Sequence, residues 1–224
     1  MDMETALQAE QSTGIDDATL VRQVQAGDGG AFAHLIRRYQ DRIYNACWRI
    51  CGCNDVAQDL TQDTFLKAYA SIGSFQCKSG FYTWLFRIAI NVSLSHRRRV
   101  RLRVVTSLDD ASGKPEAGAA PPRQMADPKA VDPADAAIQK DMRHHVAAAL
   151  QSIDEHHRVI LVLRDIEGFD YARIADVLDV PVGTVKSRVF RARNALREVL
   201  ERMVRTRTTQ SGETNDSRQS KRIG

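Results

Sequence analysis

Residues 181–200, Pro181-Val-Gly-Thr-Val-Lys-Ser-Arg-Val-Phe-Arg-Ala-Arg-Asn-Ala-Leu-Arg-Glu-Val-Leu200, decide how the chain is read. Val185, Val189, Ala192, Leu196, Val199 and Met203 recur at alternating spacings of four and three, which forms one stripe of a 3.6-period helix and has to face a core. Opposite the stripe lie Ser187, Phe190, Arg191 and Asn194, with Lys186, Arg188, Arg193 and Arg197 on or toward the flanks. An α-helix fits the major groove of duplex DNA, where Arg bridges guanine acceptors, an apolar side chain touches a thymine methyl and flanking cations neutralise phosphates. A basic amphipathic helix also serves simply as a solvated face, so the residues before it matter. Tyr171–Leu178 reads as a short helix with Ile174, Ala175 and Leu178 inward, and Asp179-Val-Pro181 breaks it, because Pro cannot continue a helix and restricts the residue before it. Two helices about a tight break form a helix-turn-helix, whose second helix enters the groove.

The 224 residues divide into two apolar-periodic stretches with a tether between them, so two small domains are expected rather than one. A net charge of +4 and a pI near 9.0 suit a polyanionic partner. No apolar run approaches a membrane span, and Met1–Ile15 is acidic and polar rather than signal-like, so a cytoplasmic location is expected. Cys47, Cys51, Cys53 and Cys77 do not make a paired zinc knuckle. Buried thiols are the plain expectation, with a redox or metal role left open by Cys47 and Cys51 lying one helical turn apart. His144-His145 and His156-His157 point in different directions along a helix and read as solvated.

In the N-terminal half, 18–25 reads as a short helix stopped at Gly27-Asp-Gly-Gly30. A long helix follows to Gly52, its buried face carried by Phe32, Leu35, Ile36, Tyr39, Ile43, Ala46, Cys47 and Ile50. Asn54 or Asp55 is expected to cap a third helix to Ile72, with Val56, Ala57, Leu60 and Ala68 inward and Gly73 closing it. Asp55, Asp59, Gln62 and Asp63 share an outer face of that helix. An acidic patch makes little sense against DNA, so if it is more than solvated surface it implies a protein partner. Phe75, Phe81, Tyr82, Trp84 and Phe86 crowd one short stretch of a chain that is 6% aromatic. Some must be core, yet rings beside Arg and Asn also suit single-stranded DNA, whose exposed bases stack and hydrogen-bond. Arg87, Asn91 and Ser95 are spaced by four on the helix from Phe81, and Arg97-Arg98-Arg99 follow as an electrostatic anchor.

Taken together, these residues resemble an extracytoplasmic-function (ECF) sigma factor of bacterial RNA polymerase. Asp59-Leu-Thr-Gln-Asp-Thr-Phe-Leu-Lys-Ala-Tyr69 and Phe81-Tyr-Thr-Trp-Leu-Phe-Arg-Ile-Ala-Ile-Asn91 are similar to sigma region 2, while Leu163-Arg-Asp-Ile-Glu-Gly168, Tyr171-Ala-Arg-Ile-Ala175 and Pro181-Val-Gly-Thr-Val-Lys-Ser-Arg188 are similar to region 4. The resemblance implies that Asp59, Gln62 and Asp63 dock on core RNA polymerase. It implies that Trp84, Arg87, Asn91, Ser95 and Arg98 open the −10 element of promoter DNA and hold an extruded base, the contacts offsetting the few kcal/mol that extrusion costs. It assigns the −35 duplex to Lys186, Ser187, Arg188, Phe190, Arg191 and Arg193. Position 95 is Ser where a longer acidic or amide group is usual, and position 90 is Ile where Arg is frequent. Control by an anti-sigma factor is a further implication.

The expected fold is all-α: a lead over 1–17, a region 2 bundle over 18–100, a flexible linker over 101–133, a region 4 helix-turn-helix domain over 134–204 and a disordered tail over 205–224. The linker holds Pro121-Pro122, Asp127-Pro128 and Asp132-Pro133, a composition unable to bury a core; in the resembling family it passes near the polymerase active site, which would bring Asp109 and Asp110 there. Region 4 is expected to open with a helix over 134–153, its stripe Ile138, Met142, Val146, Ala149 and Leu150, then a second over about 154–165 using Val159, Ile160 and Leu163 and stopping at Gly168. No Walker loop, metal-carboxylate cluster or nucleophile and base pair is present in the sequence, so neither catalysis nor a cofactor is expected. The alternative reading is a helix-turn-helix activator or repressor whose N-terminal half senses a ligand or dimerises.

Overall fold

The computed structural model describes residues 15–77, 79–107 and 146–219, with side chains described to 100 in the fourth helix and to 205 in the last. Ile138, Met142, Asp109, Asp110, His144 and His145 therefore lie outside the described residues, as does most of the expected linker. The described residues contain helices and turns and no strand. The chain forms two compact units, Met1–Ala120 and Pro121–Gly224.

Unit 1 is built on four helices: α1 Asp17–Gln25, α2 Gly29–Cys51, α3 Asn54–Ser71 and α4 Phe81–Ser107, with a single 3₁₀ turn Ile72–Ser74 after α3. Helix α2 is central and packs against the other three, burying Phe32, Leu35, Tyr39, Ile43, Ala46, Cys47 and Ile50 on one face. Ile36 and Val56, expected inward, are only half-buried; Thr64 and Phe65 do that work on α3. Thr64 is tolerated there because its hydroxyl donates to the Leu60 carbonyl at 2.6 Å. Asp28 starts α2 by accepting from the Gly30 and Ala31 amides. The start of α3 differs from expectation: Cys53 is the N-cap, with no side-chain capping bond, and Asn54 is already helical. Asn54 instead accepts from the Tyr44 hydroxyl at 3.2 Å.

Polar ties fix the helices to one another. Asp17 receives both the Tyr39 hydroxyl and the Arg38 guanidinium. Burial, then the Asp17 carboxylate, pushes the Tyr39 hydroxyl well above the ordinary tyrosine pKa, so this bond keeps its proton across the working range. The Gln25 amide donates to the Ile72 and Phe75 carbonyls at 2.9 and 3.0 Å, and Arg97 of α4 donates to the Ile50 carbonyl at 2.9 Å. Each bond satisfies a carbonyl that a helix end or turn leaves without a partner.

Unit 2 contains a short helix α5 over 146–152, α6 Glu155–Leu161, a π-helical turn Val162–Ile166, α7 Tyr171–Leu178 and α8 Val182–Gln219. Helix α8 packs on α6 and α7. The expected second helix to residue 165 is thus part α and part π: Glu167 donates five residues back to the Val162 carbonyl at 2.9 Å, and Gly168 at φ 71° ends it. Asp154 caps α6 through the His156 amide at 2.8 Å, a bond that holds its carboxyl below the usual range. On α7 the buried set is Ile174, Ala175 and Val177, with Leu178 half-buried. Asp179 in the left-handed region, rather than Pro181, ends α7; Val180 donates to the Ala175 carbonyl at 3.1 Å, the six-residue closure of a Schellman turn. Helix α8 continues past 204 to Gln219, where composition alone predicts disorder. No proline follows Pro181 in the chain, and adding residues to a packed helix is far easier than nucleating one. Likewise α4 runs to Ser107, into the expected linker.

The most consequential side chain in this unit is Arg158, which is 1% exposed. Its guanidinium donates to the carbonyls of Leu150, Gln151 and Ile153 at 2.7, 2.8 and 3.0 Å and to the Gln151 amide oxygen at 2.6 Å. A cation at the C-terminal end of α5 meets the negative end of that helix and its unfilled carbonyls. Arg158→Met keeps the apolar stem and removes the donors, leaving buried acceptors unsatisfied, and is expected to destabilise unit 2 by about 3 kcal/mol. Hydrogen exchange of the full chain should show α5 and α6 losing protection while unit 1 keeps its own; unchanged protection in α5 would contradict the role.

Candidate nucleic-acid and protein interfaces

Three surfaces can be built from the residues upward. The first is the outer face of α8. Val185, Val189 and Ala192 are 0%, 2% and 0% exposed, which turns Lys186, Ser187, Arg188, Phe190 and Arg191 outward, all exposed. Phe190 is 67% exposed, a large ring held in water with nothing of its own chain to cover it. Pro181 begins the first turn by accepting from the Thr184 and Val185 amides at 2.9 and 3.3 Å, and Ser187 donates back to the Thr184 carbonyl at 3.0 Å. Asn194, expected on the open side, is half-buried. Arg193 is exposed but committed: it forms a two-pronged pair with Asp165 of the π turn, the Nε bond at 3.2 Å. It braces α8 against the end of α6, leaving Lys186, Arg188 and Arg191 as the cations of the open face. On the other side of that turn, Arg164 donates to the Phe169 carbonyl at 2.7 Å and lies 4.9 Å from the Tyr171 ring centroid, so the entry to α7 is fixed as well.

The second surface is one stripe of α4. Arg87, Asn91, Ser95 and Arg98 are all exposed and successive at helical spacing, a row about 17 Å long at 1.5 Å per residue. Trp84 sits at its head, half-buried, its ring 4.8 Å from Phe75 and 5.6 Å from Phe81. Of the five clustered aromatics, Phe75, Phe81 and Phe86 are core. Tyr82 and Trp84 keep partial access, and Tyr82 carries Arg42 at 4.2 Å over its face. Ile90 is 1% exposed and belongs to the core side of α4, so of the two unusual positions only Ser95 touches this stripe. Beside the helix start, a depression of about 460 Å³ has Phe75 and Phe81 in its wall and Asp16, Arg38 and Cys77 among its lining. Sequence patterning gives no sign of it, because the loop before α4 has no period.

The third surface lies on α3. Asp59, Gln62 and Asp63 are exposed together, and the row continues into Leu66 and Tyr69, 60% and 53% exposed. A groove of about 620 Å³ runs between α2 and α3, lined by Phe32, Ile36, Tyr44, Phe65, Leu66 and Tyr69 among others. Tyr69 closes one end, its ring 5.0 Å from Phe32. Carboxylates beside an open apolar groove make a surface for a protein rather than a nucleic acid. Leu66 and Tyr69 were not singled out from sequence, although the adjacent pair Phe65-Leu66 carries a signal: both cannot face the same core.

Among the described residues no group of three or more His, Cys, Asp or Glu is arranged to hold a metal ion, and no helix is long and apolar enough to cross a membrane. The cysteines are all free; Cys47 is buried and Cys77 exposed.

Comparison with known proteins agrees with this division of surfaces. Residues 35–103 match the family model of sigma-70 region 2, and residues 144–196 that of sigma-70 region 4. The chain is 35% identical over 196 residues to the ECF RNA polymerase sigma-E factor of Escherichia coli (strain K12), covering 87% of this chain and 99% of that one. It is 37% identical over 193 residues to the RNA polymerase sigma-H factor of Pseudomonas aeruginosa, covering 84% and 96%. Among solved structures it is similar to the sigma factor RpoE of Bartonella quintana, crystallised with the anti-sigma factor NepR, at a TM-score of 0.57 and 28% identity over 76% of this chain and 96% of that one. It is also similar to CnrH in complex with the cytosolic domain of CnrY, at 0.58 and 25% over 83% and 97%. With both regions matched and relatives aligned over nearly their whole length, the chain belongs to the ECF group of RNA polymerase sigma factors, alternative sigma factors that direct promoter recognition.

Proposed function

We propose that this sigma factor divides its work among the three surfaces described above. Helix α8 reads the −35 duplex. Arg191 and Phe190 are placed for base edges, Lys186, Ser187 and Arg188 for phosphates and neighbouring bases, and Arg193 acts through its pair with Asp165 to hold the helix at its angle. The α4 stripe engages the −10 element. Arg87, Asn91 and Ser95 meet the opened strand, Arg98 meets its phosphates, and Trp84 offers its accessible edge for stacking. The depression walled by Phe75 and Phe81 is the place we assign to an extruded base, since an aromatic wall with a polar rim is what such a base requires. Asp59, Gln62 and Asp63, with the apolar groove beside them, dock on core RNA polymerase. The chain has no catalytic chemistry of its own, works in the cytoplasm where its polymerase is, and is held in check by an anti-sigma factor, as the complexed relatives are by theirs.

The observation that carries this reading is segregation of charge within unit 1: a basic, aromatic-headed stripe on α4 and an acidic, apolar-edged face on α3, each exposed and on different helices. A ligand-sensing regulator needs neither. Run-off transcription with purified core polymerase tests it, with product expected only when this chain is added. Tight binding of the isolated chain to its target as a dimer, without initiation by added polymerase, would instead identify an ordinary activator or repressor.

Two substitutions separate the surfaces. Arg191→Ala is expected to weaken binding to −35 duplex by about 1–3 kcal/mol and to relax discrimination at one base pair; equal losses on every sequence would mark a phosphate contact instead. Asp59→Arg, at an exposed position, should leave the circular dichroism spectrum and melting unchanged while costing about 2 kcal/mol or more in association with core polymerase, because like charges meet across the interface. Retained association would remove Asp59 from the docking face.

A further inference from the structure

Three of the chain's four cysteines gather where α2 ends and α3 begins. Cys47 is fully buried beneath this corner, within 3.8 Å of the Ser93 hydroxyl, and burial pushes its thiol pKa up to about 12. It is a spectator. Cys51 is the last residue of α2, Cys53 is the N-cap of α3, and Gly52 between them is left-handed at φ 77°. That turn folds one thiol back on the residue bearing the other: Cys51 Sγ donates to the Cys53 carbonyl at 3.3 Å. Both residues are half-buried, so a small oxidant has access to them. They are also unlike. Burial raises the Cys51 pKa, with the Arg97 charge acting the other way. Cys53 makes no capping bond and stands at a helix start, where unfilled amides favour a negative group.

We propose that Cys51 and Cys53 form a redox-active dithiol that closes to an intramolecular disulfide under a peroxide-class oxidant, and that closure reshapes the α2–α3 corner so that core polymerase binds less well. Cys53 as thiolate attacks one peroxide oxygen; the O–O bond breaks, hydroxide leaves and takes up a proton as water, and Cys53 becomes a sulfenic acid. The Cys51 sulfur attacks that sulfur, the S–O bond breaks, and the departing hydroxide takes the Cys51 proton as a second water. Each sulfur is oxidised by one electron and the peroxide is reduced by two. A bridge across a single residue is the exposed, reducible kind that serves switching rather than permanent stapling. It displaces the Cys51 thiol from the Cys53 carbonyl and strains the turn set by the Gly52-to-Trp48 bond of 2.7 Å and the Ala57-to-Cys53 bond of 3.0 Å. Both walls of the apolar groove, α2 and α3, leave from this corner. The second half of the proposal rests on the assignment of that groove and its acidic edge to polymerase docking.

The test uses full-length protein with the exposed Cys77 changed to Ser, treated with hydrogen peroxide, then alkylated and digested. Trypsin cleavage after Arg49 separates Cys47 from the peptide carrying both Cys51 and Cys53. That peptide is expected to lose two hydrogens and to regain them with dithiothreitol, while Cys51→Ser is expected to leave a sulfenic acid on Cys53 that dimedone traps. A bridge to Cys47, a bridge between chains, or oxidation with no bridge overturns the dithiol. Oxidised protein is then expected to bind core polymerase about tenfold more weakly than reduced protein, an ordinary size for coupling between two sites, with Cys53→Ser insensitive to peroxide. Equal affinity of the two forms overturns the coupling. Failure of the reduced form to bind at all overturns the docking assignment and the coupling with it, while the mass result still decides the dithiol.

Discussion

A helix can present side chains to a partner only if its opposite side is fixed, and in this protein that constraint falls on Val185, Val189, Ala192 and Val199. Buried to within a few per cent by the packing of α8 on α6 and α7, they determine which side of the helix looks outward. Burying an aliphatic side chain of this size is worth about 1.5–3 kcal/mol, so a rotation of α8 that exposed them would be opposed by several kcal/mol. The Arg193–Asp165 pair adds direction more than energy, since exposed ion pairs contribute little. Apolar burial holds the face, and the polar pair sets its angle.

Unit 1 meets a harder version of the same problem, because one small bundle carries two surfaces of opposite character. Helix α2 solves it by spending nearly its whole length on burial, which frees an outer side of α3 for carboxylates and an outer side of α4 for cations. The aromatic cluster at the head of α4 serves both interior and surface. Phe75 and Phe81 anchor the helix start, and the same rings support Trp84 from behind, so a residue assigned to DNA is held in place by the core.

Much of this was legible in the chain. The stripes of α2 and α8, the break before α8 and the outward row Asp59, Gln62 and Asp63 follow from helical period alone. What period cannot report is the partner of a polar side chain. Nothing in sequence distinguishes Arg158, buried and bonded to three carbonyls, from Arg191, which is exposed, since both lie on amphipathic helices. Arg193 was read as a phosphate contact because its carboxylate partner lies 28 residues away in the chain. Asn194, Ile36 and Val56 missed their expected burial for a related reason: a helical wheel fixes relative direction, while the width of the buried arc depends on neighbours. The apolar groove escaped notice because it belongs to two helices at once and to the pattern of neither.

The π turn at Val162–Ile166 has a consequence for how this protein tolerates length change. A π turn accommodates one residue more than the α-helical ladder would, and each residue of a regular helix turns the chain by about 100°. Loss of a single codon here would let the segment relax into ordinary helix and swing everything downstream, Phe169 and the recognition helix included, toward a different side. Surface loops usually absorb insertions and deletions without harm; this stretch is a place where reading-frame-preserving indels would be purged.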